Sequence, residues 1–486
     1  MGETAVYGLS SVVGRLLNYL LVPLHTKVFL PDEYGIYGYL YSYVGFLMVM
    51  LTYGFETAFF RFTQEQKDKK DAFGTAVFSF FISTAIFLGI FLLFRYSIAD
   101  IIKIPEHPEY VIWFALIIAF DVLVAIPFAR LRLQGKAFQF AGIKVLNIIV
   151  NIGLNLFFLM LCPYLLKEQI ATEFISKIYN PEIGIGYIFI ANLLASASTF
   201  IVFLPQYLKE KLSFNKSLWK KMFRFAAPLL VVGIAAIMNE LLDRILLKFC
   251  LNGTEEYVNS QIGIYSACYK LAVLMALFTQ AYKMAAEPFF FSESKQIGAK
   301  QKFAQLMNYF VLFGGLIFLG VNFFIDLFKY FISNEAYWVG LPVVPILLLA
   351  YLFLGIYFNL SVWYKLTDKT IYAAYISIVG ALITVVMNLI LIPKIGFYGS
   401  AWTTLIVYVV MTILSYLLGQ KHYKVPYEFD KLSTLVGLAL LLFVIMRLLI
   451  EPNVNQALSY LMKFVFLAVY LIVGYTFFFK KPLTNS

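Results

Sequence analysis

Fourteen apolar runs, each long enough to cross a bilayer as a helix, divide this chain from end to end. They fall at approximately 5–29, 36–60, 72–95, 109–133, 138–162 and 184–208, then at 222–250, 261–290, 303–328, 339–363, 370–393, 399–419, 432–450 and 456–479. About 20 helical residues cross the ~30 Å of hydrocarbon. An unpaired backbone group is so costly in lipid that runs of this length are read as helices rather than strands. The expected fold is therefore an all-α integral membrane protein with about 14 transmembrane helices. Composition agrees, because 62% of the residues are hydrophobic and only 13% charged, against roughly 25% charged in a soluble domain.

The first run continues from Ala5 to Leu30 without a short apolar core or a small-residue cleavage site, so it reads as a retained helix and not a secretory signal. The net charge of +11 raises nucleic acid as a partner. Yet the basic residues sit in short loops between apolar runs rather than on one face, and no nucleic-acid partner is expected. Membrane topology explains them better. With the amino terminus in the cytoplasm, 24 Lys and Arg fall in inner loops and the tail, Arg61, Lys136, Lys144 and Lys220 among them, against nine outside. By the positive-inside rule both termini are expected to be cytoplasmic. Cys162, Cys250 and Cys268 have no metal-ligand spacing and read as small apolar residues.

The sequence also resembles itself. Gly35-Ile36-Tyr37-Gly38 recurs as Gly263-Ile264-Tyr265-Ser266, with looser copies at Gly184-Ile185-Gly186-Tyr187 and Gly396-Phe397-Tyr398-Gly399. Asn18, Leu20, Leu21 and Lys27 match Asn239, Leu241, Leu242 and Lys248, and Arg132-Leu133, Lys136 and Asn155-Leu156 match Lys365-Leu366, Lys369 and Asn388-Leu389. The similar offsets predict a six-plus-six repeat. Six is even, so both halves enter from the same side and the repeat is parallel, with its natural cavity between the halves. The expected divisions are an N-lobe over 1–210, a C-lobe over 211–425 and a helix pair over 426–486.

Asp243-Arg244 followed by Gly263-Ile264-Tyr265, the segment Pro393-Lys394-Ile395-Gly396-Phe397-Tyr398-Gly399-Ser400-Ala401, and Pro31-Asp32-Glu33-Tyr34-Gly35-Ile36-Tyr37 resemble the polysaccharide flippases of the multidrug/oligosaccharidyl-lipid/polysaccharide exporter superfamily. The resemblance covers essentially the whole chain and implies two six-helix lobes with two extra carboxyl-terminal helices. It implies a place in the bacterial cytoplasmic membrane and a role like that of O-antigen and capsule exporters, in lipopolysaccharide or related polysaccharide biosynthesis. Such proteins flip polyprenyl-pyrophosphate-linked sugar from the cytoplasmic to the outer leaflet. The implied partners are that lipid-linked oligosaccharide, membrane lipids and glycan polymerase or ligase machinery. The motifs are helix-entry and packing patterns, which identify a family rather than a substrate.

Charges within spans cost ~2.5 to 3.5 kcal/mol each on insertion scales, so each needs a partner or a cavity. Ser11, Arg15, Asn18 and His25 share one face of helix one. Arg15, roughly 15 Å deep at 1.5 Å per residue, reads either as a ligand for pyrophosphate or as the partner of a neighbouring carboxylate. Glu240 and Arg244, like Lys283 and Glu287, are spaced i,i+4 for mutual neutralisation. Lys270 has no local partner and suits a cavity wall. In the family the first two helices of each lobe line the central cavity, which makes Arg15, Asn18, Arg244, Lys270 and Lys283 the substrate-binding candidates. Asp121 reads as a site for a coupling Na+ or H+, or as a buried acid between helices. Asn147, Asn151 and Asn155 form a ladder suited to holding helices together. Pro23 and Pro228 are expected to interrupt helices one and seven, as bending points or as static kinks.

Two other functions fit a chain of this kind. One is a cation-coupled exporter of drugs or amphipathic metabolites, which twelve helices would favour and fourteen disfavour. The other is a membrane-embedded glycan-assembly enzyme or scaffold. The three histidines, His25, His107 and His422, lie near no carboxylate pair at metal-ligand spacing, and no nucleophile motif is present. The chain is therefore expected to be no enzyme and to carry no cofactor or metal.

Overall fold

In the computed structural model, which describes residues 14, 16–65, 69–209 and 213–478, the chain is entirely helical, with no strand among those residues. Thirteen described helices are long and apolar enough to span a membrane. We number them with the first helix in front. The segment of that first helix that follows its break is α1, Val22–Val28. The others of the amino-terminal half are α2 Pro31–Gln64, α3 Asp71–Leu93, α4 Pro108–Leu133, α5 Ala137–Lys167 and α6 Gly186–Lys209. Then follow α7 Lys216–Cys250, α8 Glu255–Glu293, α9 Ala299–Phe323, α10 Val343–Leu366, α11 Ile371–Ile395 and α12 Phe397–His422. The chain closes with α13 Phe429–Ile450 and α14 Gln456–Phe477. Residues 1–13 and 15, Ser11 and Arg15 among them, lie outside the described residues.

Local chemistry sets the breaks. Pro23 has no N–H to give the preceding turn, and the helix opens into a turn at Leu20 and Leu21 before α1 begins. Pro31 opens α2, and the Glu33 carboxylate accepts the Leu30 N–H at 2.9 Å. The same helix is broken at Tyr53 and Gly54, where Gly54 takes φ of 72° at no steric cost. Pro228 behaves differently from the expectation. Helix α7 runs unbroken from Lys216 to Cys250, because losing one interior hydrogen bond is tolerated when the rest of a long helix holds its register. Both π-helical turns, Phe157–Leu161 in α5 and Met446–Ile450 in α13, precede a proline.

The chain forms two compact units, Met1–Leu241 and Leu242–Ser486, with the boundary inside α7. In the first, α4 is the central helix, packed against α2, α3, α5 and α6. Its apolar window is 72% buried, against 17% for α2, so α4 is the core of this unit. Tyr207 on α6 donates to the Leu123 carbonyl on α4 at 2.5 Å. In the second unit α10 holds the equivalent place, packed against α8, α9, α11 and α12. Trp363 on α10 donates to the Ser415 carbonyl on α12 at 3.1 Å. The neighbours of α4 and α10 thus correspond at a shift of six helices, as a six-plus-six repeat requires. Helices α13 and α14 lie outside that pattern and pack on α9.

Candidate functional site

In the first unit the polar groups of three elements meet along one face of α5. Lys144, Asn147, Asn151 and Asn155 follow one another at helical spacing on that face. Asn155, fully buried, donates to the Asn151 side-chain oxygen at 3.2 Å, and its own oxygen lies 2.8 Å from His25 Nε2. Asn151 donates to the Asn18 side-chain oxygen at 3.1 Å. Asn147 donates to Thr199 Oγ1 on α6 at 3.0 Å. The ladder therefore joins α5 to the polar face of helix one and to α6. Asn18, placed among the substrate candidates, is engaged in this network.

Lower on the same face, Asp121 of α4 sits beside the Ser196 hydroxyl of α6 and within electrostatic reach of Lys144. The Lys144 ammonium lies 4.4 Å from the centre of the Phe128 ring. Lys144, taken from sequence as a loop residue, is thus a helical neighbour of Asp121. It is a functional candidate that sequence reasoning missed. Its position three residues before Asn147 was the available signal.

The second unit holds a denser cluster where α7 and α8 meet. One Asp243 oxygen accepts the Arg244 backbone N–H at 2.7 Å and its guanidinium at 3.1 Å. The other accepts the Tyr265 hydroxyl at 2.6 Å. The guanidinium stacks 4.3 Å from the Tyr269 ring centre and 5.4 Å from that of Tyr265, and the Tyr269 hydroxyl bonds that of Tyr351 on α10. Asp243, Arg244, Tyr265, Tyr269 and Tyr351 are all buried. Arg244 therefore pairs with its sequence neighbour Asp243 rather than with Glu240 one turn away. Lys270 stands close enough for its charge to be felt at Arg244. It makes no hydrogen bond or ion pair with any described residue. The tyrosine wall was not singled out from sequence, where abundant tyrosine is ordinary for a membrane protein.

Lys283 lies about 13 residues further along α8, some 20 Å at 1.5 Å per residue, and belongs to a different neighbourhood. Its ammonium rests 4.6 Å from the Phe358 ring centre. The expected Lys283–Glu287 pair does not form, because Lys365 on α10 reaches the Glu287 carboxylate at 2.5 Å. A cross-helix partner at this distance outcompetes one that must bend back along its own helix.

Two further buried cations are neutralised locally. Lys248 donates to Glu255 at 2.8 Å and to Asn259 at 2.7 Å. On α14, Lys463 is 2.9 Å from Glu451, which also takes Arg447 at 2.8 Å. Among the described residues no group of three or more His, Cys, Asp or Glu could hold a metal ion.

Against this geometry stand the likenesses to known proteins. A family model described as polysaccharide biosynthesis protein matches residues 2–294. Among solved structures, the lipid II flippase MurJ in an inward closed conformation superposes with a TM-score of 0.75 at 14% identity, covering 98% of this chain and 99% of that one. An inward-facing multidrug resistance MATE family transporter of the MOP superfamily gives 0.62 at 15% identity, over 89% and 96%. The MATE multidrug transporter DinF-BH gives 0.60 at 16%, over 87% and 96%. At these identities the likeness is one of fold. No sequence among curated proteins matches.

Proposed function

The chain belongs to the polysaccharide biosynthesis protein family, and from that membership we propose that it flips a lipid-linked oligosaccharide from the cytoplasmic to the outer leaflet. The observation that carries this reading is the surplus cation at the junction of α7 and α8. Arg244 is matched by Asp243, and Lys270 beside it is matched by no described carboxylate. A half-buried positive charge inside a membrane span, without a described partner, is costly, and an anionic substrate group supplies what is missing. Pyrophosphate suits it. The neighbouring tyrosines, buried and bonded, hold the Asp243–Arg244 pair in place beside Lys270.

The substrate class is polyprenyl-pyrophosphate-linked oligosaccharide, with the polyprenyl tail remaining in lipid while the polar head moves through the protein by alternating access. Arg15 joins Lys270 as a further cationic contact for the phosphates, while Lys283, 13 residues along the same helix, lies apart from them. Asp121, with Ser196 and Lys144 around it, is the site where Na+ or H+ would couple to transport. The protein works in the bacterial cytoplasmic membrane with both termini inside, and it hands its product to polymerase or ligase machinery. No enzymatic step is part of the reading.

The charge balance separates this reading from that of a cationic-drug exporter. Export of cations calls for uncompensated carboxylates, yet Glu287 is held by Lys365 and Asp121 has Lys144 nearby. The test is reconstitution in liposomes carrying a polyprenyl-pyrophosphate oligosaccharide, with sugar accessibility read by a glycosidase on the opposite face. Protein-dependent movement that Arg15→Ala or Lys270→Ala suppresses supports the proposal. Absence of movement across several glycans, with uptake of a soluble amphipath instead, transfers the assignment to the exporter.

A further inference from the structure

At the far end of α8 from Arg244, a shallow recess, open to the surroundings, lies between α8 and α10. Its polar lining is Lys283, Glu287, Lys365, Tyr282 and Asn359, over a floor that includes Phe358 and the buried Phe290. Tyr282 and Asn359 satisfy one another, the hydroxyl donating to the amide oxygen at 2.5 Å. Glu287 is taken by Lys365, and these two side chains are 38% and 28% exposed, so the recess is open to a ligand. Two ammonium groups thus face one carboxylate. Lys283 has an aromatic ring beneath it and no ion pair with a described residue.

The length of α8 sets the depth of this recess. Its 39 residues rise about 58 Å at 1.5 Å per residue, while the hydrocarbon core is only ~30 Å thick, so both ends protrude. With the midpoint of α8, near residue 274, set at the bilayer centre, residues within about ten positions of it lie in hydrocarbon. Lys283 therefore sits at the edge of the hydrocarbon and Glu287 just beyond it, the level at which lipid phosphates reside. Lys365 closes the end of α10 at the same level. We propose that this recess is a binding site for the phosphate of a membrane-resident lipid, with Lys283 as the principal contact, Lys365 as a second cation and the phenylalanine floor against the first acyl or prenyl carbons. The recess lies about 20 Å along α8 from Lys270, so it is distinct from the proposed substrate site there.

Two sources share this chemistry, an anionic phospholipid and a polyprenyl phosphate. The purified full-length protein in neutral detergent is titrated with phosphatidylglycerol, polyprenyl monophosphate, inorganic phosphate or diacylglycerol while its thermal midpoint is followed, since a ligand that binds only the folded state raises it. A phosphate-bearing lipid is expected to raise the midpoint, less so at high salt, and diacylglycerol is not. Lys283→Ala and Lys283→Gln should each weaken the response roughly tenfold or more, the loss of one charge-assisted hydrogen bond, and Lys283→Arg should restore it. The lipid acting at lower concentration identifies the source. Overturning results are no shift with either lipid, an equal shift with inorganic phosphate or diacylglycerol, or an undiminished shift in both neutral variants. Any of these leaves the flippase reading intact, because that rests on Lys270 and is read by sugar movement.

Discussion

His25 Nε2 lies 2.8 Å from the side-chain oxygen of Asn155, a buried contact between positions 130 residues apart. Through Asn155, Asn151 and Asn18 the same network ties both sides of the break at Leu20 and Leu21 to α5. Side-chain bonds thus hold the first helix on both sides of the turn where its backbone ladder shifts to i→i−3 bonds at Leu20 and Leu21.

That network predicts coupling between His25 and Asn155. Each alanine substitution should lower thermal stability, and the double substitution should cost less than the sum by about 0.6 to 1.7 kcal/mol, the range of interhelical hydrogen bonds in membranes. Strict additivity in a double-mutant cycle would show that the contact contributes nothing.

The Asp243–Arg244 pair has no such tolerance. Both side chains are buried, so Asp243→Asn or Arg244→Met alone should cost about 3 to 5 kcal/mol by stranding a charge. The double substitution should recover most of the loss. Melting curves of the four proteins in detergent decide it, and a double variant less stable than either single one contradicts the pairing.

Lys270 should behave in the opposite way. With no described partner to strand, Lys270→Ala is expected to leave folding within about 1 kcal/mol of the parent, or to stabilise it, while suppressing sugar movement in proteoliposomes. Lys270→Arg should retain transport. Loss of folding without a specific transport defect would place this lysine among the structural residues.

Asp121→Asn separates coupling from architecture. The amide keeps the hydrogen-bonding shape beside Ser196 but cannot carry a cation or titrate. Flipping by this variant should no longer respond to an imposed Na+ or H+ gradient, while gradient-independent exchange persists. An unchanged gradient response removes Asp121 from the coupling site.

Docking of α14 rests on the close approach of Gly315 on α9 to Tyr470, where an added Cβ would collide with the phenol. The Tyr470 side chain is fully buried. Gly315→Leu should therefore destabilise the protein by about 1 to 3 kcal/mol through overpacking. Limited proteolysis should show the α13–α14 connection opening first. Protection equal to that of the parent would mean that α14 is held elsewhere.

Much of the architecture was legible before any coordinates. Run length and the absence of water in the bilayer leave helices as the way to satisfy this backbone, so the spans and their number follow from hydropathy. The repeated Gly-Ile-Tyr segments and their offsets similarly announced two matched sets of six helices. The break at Pro23 was readable because a missing donor is a local fact. The continuity of α7 through Pro228 was not, since it depends on whether the remaining helix keeps its register.

The candidate site was legible in residue type and not in pairing. Sequence spacing singled out Arg244, Lys270, Lys283 and Asp121 because charge in lipid demands an explanation wherever it occurs. It also proposed partners one turn away, Glu240 for Arg244 and Glu287 for Lys283. The fold instead pairs Arg244 with Asp243 and gives Glu287 to Lys365 on another helix, and it brings Lys144 beside Asp121. Periodicity specifies which residues share a face of one helix. Which face meets which neighbour depends on how each helix is rotated and packed, so only the tertiary structure decided which charges are cancelled and that Lys270 and Lys283 are left without a described ion-pair partner.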